Sequence, residues 1–119
     1  ITYIGPVNDR QKNELLGQAS ALLMPIQWNE PFGIVMAEAM ACGTPVLGFP
    51  LGSVPEIVFD GINGFVCRDT DEMAGRTKDL ATLDRKKIRE LAEERFSDTK
   101  IAADYMVLYT SLINRRKDL

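Results

Sequence analysis

The sequence contains no histidine. That excludes a Ser-His-Asp or Cys-His catalytic arrangement, histidine metal sites and a histidine general base from these 119 residues. Cysteine is scarce. Cys42 and Cys67 stand in apolar surroundings without metal-ligand spacing, and read as small buried hydrophobes in a reducing compartment rather than as a disulfide. No apolar run approaches the length of a transmembrane span, and no signal peptide is visible. Excess positive charge is missing too: a net charge of −3 and a pI near 4.9 argue against a nucleic-acid footprint. The most telling absence is local. Between Lys12 and Arg68 there is no Lys or Arg, although Glu14, Glu30, Glu38, Glu56 and Asp60 are present.

What is present is 45% hydrophobic residues, enough for one core and one domain at most. The chain opens at Ile1 in a strand-like segment, which reads as a piece of a longer protein. Its centre is the run from Met24 to Val46. Ala21–Met24 is a short apolar run closed by Pro25, with turn-prone Asn29, Pro31 and Gly33 beyond it. From Ile34 to Cys42 every residue except Glu38 is apolar, which predicts a helix buried on most sides. Gly43 and Pro45 then end it.

Glu38 is out of place in such a helix. It must be paired, solvated or protonated, because a bare buried carboxylate is very costly. Glu30 lies eight residues earlier, in the loop feeding the helix. Both carboxylates therefore border one helix N-terminus, whose free N–H groups and dipole suit a phosphate. Phosphate-directed amides beside hydroxyl-accepting carboxylates suit a sugar nucleotide. Two plainer readings stay open at this point: Glu30 stabilising the helix dipole, and Glu38 surfacing at a gap in the packing.

In chain order, Thr2–Val7 reads as a strand ending at Gly5, either a close backbone approach or a plain turn. Asn8 or Asp9 caps a helix to about Ala19, with Leu15, Leu16 and Ala19 inward. Ala21–Ile26 and Val46–Phe49 flank the central helix as a βαβ unit, so the strands should be parallel, with Glu30, Gly33 and the Pro50–Glu56 loop at their C-terminal edge. Pro55 and Glu56 suit a first helical turn, and Asn63-Gly64 is a turn into a strand at Phe65–Cys67. Three helices follow, about 71–81, 85–96 and 99–115, capped by Thr70, Asp84 and Ser97 or Asp98. Ile88, Leu91 and Ala92 mark one inward stripe; Ile101, Tyr105, Leu108, Tyr109, Leu112 and Ile113 mark another. Arg85, Lys86, Lys87 and Arg89 read as a solvated face.

Glu30-Pro-Phe-Gly33 with Glu38, followed by Ala41-Cys42-Gly43-Thr44-Pro45-Val46, resembles the signature of the group 1 family of retaining glycosyltransferases, which have the GT-B fold. The family's two glutamates are separated by seven residues, as here. The resemblance implies that Glu30 acts on hydroxyls of the donor sugar in the catalytic site, and that Glu38 holds the ribose. It also implies that the amides of Phe32, Gly33 and Ile34 line the donor phosphates and sugar. Gly52-Ser53-Val54-Pro55-Glu56 resembles the family's Gly-Gly-x-Pro-Glu loop, with Ser53 in place of the second glycine. Gly5, Gly52 and Ser53 are thus possible site-loop residues.

The expected fold is α/β: a Rossmann-like, mostly parallel sheet with helices on both faces, part of a GT-B C-terminal domain. Residues 1–119 form a single partial nucleotide-sugar-binding domain, helical from about 70 to 119. The expected activity belongs to the parent protein: transfer of a sugar from a nucleoside diphosphate sugar to an unknown acceptor, with no cofactor and no metal. The resembled family supplies its basic phosphate-binding residues and its base-recognition residues upstream, and its acceptor site largely from another, N-terminal domain. These residues alone are therefore expected to be inert. The expected location is cytoplasmic, with membrane-surface association of the parent left open. A GT-B epimerase or phosphorylase and a non-catalytic α/β interaction module remain the alternatives.

Overall fold

The computed structural model describes residues 1–117. Asp118 and Leu119, which close the unit expected over 1–119, lie outside the described residues. The elements follow in the order α1 (Asp9–Gln18), β1 (Leu22–Met24), α2 (Ile34–Ala41), β2 (Val46–Gly48), α3 (Val54–Ile57), β3 (Gly64–Val66), α4 (Thr70–Arg76), a 3₁₀ turn (Thr77–Thr82), α5 (Arg85–Phe96) and α6 (Asp98–Lys117).

The three strands form one parallel sheet in the order β1-β2-β3, with Leu22 opposite Val46 and Val46 opposite Gly64. Successive side chains along a strand point to opposite faces, and the core divides accordingly. Val46 joins Leu16, Met36, Ala39, Met40, Val54, Ile57, Ile88 and Ala92 under α1, α2, α3 and α5. Leu47, Phe49, Phe65 and Cys67 pack with Met73 of α4 on the other face. The expected α/β architecture, with a parallel sheet and helices on both faces, is the observed one.

Several local expectations are corrected. Thr2–Val7 is not a strand, because no described strand offers it a ladder, and Tyr3 and Ile4 stand exposed. α1 starts at an Asn8–Gln11 capping box as expected, but only Leu16 is buried; Leu15, 100° round the helix, is exposed. α2, expected to be buried on most sides, buries one face: Met36, Ala39 and Met40 turn inward while Ile34 is 68% exposed and Ala41 is exposed. The helix expected over 71–81 gives way to a 3₁₀ turn after Arg76, where the Thr77 and Thr82 hydroxyls donate to the carbonyls three residues back. Its cap is Asp69, whose carboxylate accepts from the Glu72 amide, and not Thr70. Asn63 is more than a turn residue: fully buried, its amide donates to Ile57 O and its Oδ1 accepts from Phe59 N.

The stripe on α6 is the largest departure. Ile101, Tyr105, Leu108, Tyr109, Leu112 and Ile113 are all exposed, because α6 packs on α5 and then runs outward, extending the molecule to 58 Å. An apolar period marks a face able to be buried, and burial needs a surface to meet it.

β3 is fastened to α4 by one carboxylate. The Arg68 amide and Nε donate to Glu72 Oε2 at 2.8 and 3.0 Å, and these two bonds hold the Glu72 carboxyl below its usual value. A depressed folded-state pKa contributes stability above the unfolded value of about 4.3, and that contribution fades as pH falls through the folded value. A melting-temperature series from pH 7 to 2 should show Glu72→Gln with a shallower acid decline than the parent sequence. An unchanged acid limb would mean the pair contributes nothing to folding.

Candidate functional site

The loop from Pro25 to Gly33 leaves β1 at its C-terminal edge and is stitched to the loop after β2. Ser53 N donates to Glu30 O at 2.9 Å, Gly52 N to Asn29 Oδ1 at 3.2 Å, and Ser53 Oγ to Phe32 O at 2.6 Å. Gly52 sits at φ +57, and a Cβ there would overlap the backbone N and O of Glu30. Only glycine fits both the left-handed backbone and the close approach. Serine at position 53 therefore does not loosen this loop; its hydroxyl supplies the bond to Phe32 O. The structure thus brings Glu30, Phe32, Gly52 and Ser53 together.

Gly33 adopts φ +70 and turns the chain into α2; a Cβ on it would stand 2.8 Å from Met36 Cε and 3.2 Å from Glu30 Cγ. The amides of Phe32, Gly33 and Ile34 donate to no acceptor among the described residues. They form the free N–H cluster of a helix start. Glu30 flanks that start and is half-buried. Its Oε2 accepts from the indole Nε1 of Trp28 at 3.0 Å. Phe32 lies edge-on to Phe96 of α5, ring centroids 5.8 Å apart, so the loop is also braced from the helical layer.

Glu38 lies four residues into α2, about 6 Å along the axis. It is not bare: Lys12 Nζ of α1 donates to its Oε1 at 2.8 Å, and also lies 3.2 Å from Asp9 Oδ1. The bonds to Glu38, then Asp9, push the Lys12 ammonium above its ordinary value. That contribution to folding is complete below the unfolded lysine value of about 10.4 and is lost only as pH rises through the folded one. Lys12, Asp9, Asn13, Glu38, Cys42 and Arg89 line a groove of about 610 Å³ between α1, α2 and α5. The Glu38 side chain is 31% exposed there. The thiol of Cys42 faces Asn13 Oδ1 at 3.3 Å, while Cys67 is fully buried, and both are free.

Two features escaped sequence reasoning. The stretch without Lys or Arg does not leave the region without cations, because Lys12 arrives from 26 residues before Glu38. The one available signal was its place on the α1 face next to Leu16. Arg85 is not merely part of a solvated face: its guanidinium donates to Gly17 O, Ala19 O and Thr44 Oγ1, closing the C-terminus of α1. Gly5 keeps φ +69, and a Cβ there would meet nothing within 4 Å among the described residues.

Each carboxylate thus has one oxygen held by a protein donor, while the other is unpartnered among the described residues. The unpaired amides of the helix start lie beside Glu30, and Glu38 follows a turn further along α2. Free amides suit an anion, and each free carboxylate oxygen can accept a hydroxyl.

The sequence model described as "Glycosyl transferases group 1" matches residues 1–96. The chain is 31% identical over 113 residues to N-acetyl-alpha-D-glucosaminyl L-malate synthase of Bacillus anthracis, covering 88% of this chain and 29% of that protein. It is 44% identical over 74 residues to D-inositol 3-phosphate glycosyltransferase of Streptomyces avermitilis, covering 62% and 16%. Among solved structures, sucrose-phosphate synthase from Thermosynechococcus elongatus superposes with a TM-score of 0.79 at 28% identity, over 96% of this chain and 30% of that one. HepE of Anabaena in complex with UDP-glucose gives 0.70 at 25% identity, over 82% and 29%. The chain spans less than a third of the length of each of these relatives. With the family's sequence model matching over most of its length and the fold in agreement, the chain belongs to the group 1 family of glycosyl transferases.

Proposed function

We propose that these residues form the donor-sugar, ribose and phosphate half of the site of a retaining glycosyltransferase. The parent enzyme transfers a sugar from a nucleoside diphosphate sugar to an acceptor bound largely outside this chain. The observation that carries the reading is the cluster of free amides at the start of α2 with the half-satisfied carboxylate of Glu30 beside it and that of Glu38 a turn further along the helix. Glu30 accepts hydroxyls of the transferred sugar. Glu38, held by Lys12 through Oε1, offers Oε2 to the ribose. The amides of Phe32, Gly33 and Ile34 and the positive end of α2 take the diphosphate, whose charge grows as the glycosidic bond breaks. Gly52 and Ser53 fix the loop that carries Glu30.

The UDP-glucose complex of the Anabaena relative supports a nucleotide sugar as the donor class. No metal ion enters this reading, so activity should survive chelation of divalent cations. The compartment that fits is cytoplasmic, where the free Cys42 and Cys67 stay reduced.

The test separates ligand holding from packing at Glu38. An ion pair this exposed contributes at most about 1 kcal/mol to folding. Glu38→Gln in the full-length protein should therefore leave the melting temperature nearly unchanged. It should raise the donor KM about tenfold, the loss of one charge-assisted hydrogen bond. Lys12→Met should raise it less, since the carboxylate stays. A clear fall in melting temperature with an unaltered donor KM would make Lys12–Glu38 a purely structural bridge.

A further inference from the structure

Trp28 is the only tryptophan of the chain, and it is 60% exposed. A large aromatic left in solvent contributes little to the core, so its position calls for another account. Its indole nitrogen is occupied, donating to Glu30 Oε2 at 3.0 Å. The main chain around it is fixed independently of the ring. Glu30 N donates to Trp28 O at 3.0 Å, Ser53 N donates to Glu30 O, and the Asn29 side chain is engaged by Gly52 N. What the indole adds is therefore control of the carboxylate and not of the loop.

We infer that Trp28 is the positioning residue for Glu30, clamping one carboxylate oxygen so that the other is presented to the donor sugar. A glutamate has three side-chain torsions to fix, and an unclamped carboxylate would sample several rotamers. Indole is rigid, and its N–H is a donor with no acceptor capacity. It can hold a carboxylate without offering a rival acceptor to sugar hydroxyls. A hydroxyl or amide in its place would donate to Glu30 and also compete for the same hydroxyls. The clamp lowers the ordering cost that the sugar would otherwise meet on binding and in the transition state.

This inference rests on the reading of Glu30 as the sugar-binding carboxylate, and the test separates the two. Full-length protein carrying Trp28→Phe, Glu30→Ala or both is assayed with UDP-, GDP- and ADP-glucose, with water as the acceptor of the glucosyl group. Turnover is read as released nucleoside diphosphate, and affinity for the same free diphosphate by calorimetry. Trp28→Phe should lower kcat about tenfold, the scale of one hydrogen bond to a charged group. Diphosphate affinity and melting temperature should hold. In the Glu30→Ala background the same substitution should cause no further loss, because the group it acts through is gone. Full turnover in Trp28→Phe, or a second tenfold loss on top of Glu30→Ala, would overturn the role of Trp28 and leave that of Glu30 standing. Normal turnover in Glu30→Ala alone would remove the donor-site reading, and the clamp with it.

Discussion

Glu30→Ala is expected to lower kcat for sugar transfer by about two orders of magnitude while free nucleoside diphosphate binds almost as before. Two charge-assisted hydrogen bonds to sugar hydroxyls, each worth about 1.5 kcal/mol, sum to roughly the 2.7 kcal/mol of a hundredfold rate change. The product diphosphate lacks the sugar, so its affinity senses only the amides of α2 and Glu38. The split is what distinguishes a contact made to the reacting sugar from general loop support. Loop collapse does not account for the effect, because the Ser53 and Gly52 amides still donate to Glu30 O and Asn29 Oδ1 after the substitution. Equal losses in transfer and in diphosphate binding would reduce Glu30 to a support for the loop.

Gly64→Ala is expected to have the largest effect on folding. Gly64 faces Val46 across the β2–β3 ladder, and a Cβ on it would overlap the Val46 carbonyl and crowd its nitrogen. Neither partner is free to yield. Val46 is fully buried at the sheet centre and its amide donates to Asn63 O. Asn63 is in turn bonded to Ile57 O and Phe59 N. Overpacking in a core typically costs 1–3 kcal/mol, and a clash between two main chains in a ladder belongs at or above the top of that range, about 3 kcal/mol. In thermal unfolding this should lower the melting temperature by about 10 °C or more. Gly75→Ala is the control: a Cβ there meets nothing within 4 Å, and alanine is the better helix former. A Gly64→Ala protein as stable as its parent would mean that the β2–β3 register differs from the one described.

The acidic loop motif shows how far sequence reading reached. Spacing and the chemistry of a lone carboxylate in an apolar helix single out Glu30, Gly33 and Glu38; the structure puts Glu30 in the loop before Gly33 and Glu38 a turn inside α2, on the groove shared with α1 and α5. Parallel pairing and a ligand edge followed from the strand-helix-strand order. The partners of those carboxylates were not legible. Trp28 is two residues from Glu30, yet nothing local requires its indole to turn back, and Lys12 reaches Glu38 only because α1 packs beside α2. Arg85 closes α1 from 66 residues away.

By itself the sequence determined the local and conformational features: helix caps at Asn8 and Asp84, left-handed turns at Gly33 and Gly43, short apolar strands, and a lone carboxylate, Glu38, in an apolar helix. These depend on torsional preferences and on neighbours within about a turn, which the chain carries wherever it folds. Tertiary structure alone decided what each surface meets. It made Asn63 a buried cross-link, joined Ser53 to the Glu30 loop, gave Glu38 its cation, and left the apolar stripe of α6 in solvent. A hydrophobic period states that a face can be buried, and a carboxylate states that it must be satisfied; the identity of the partner is a long-range property, set by which elements the whole core brings within bonding distance.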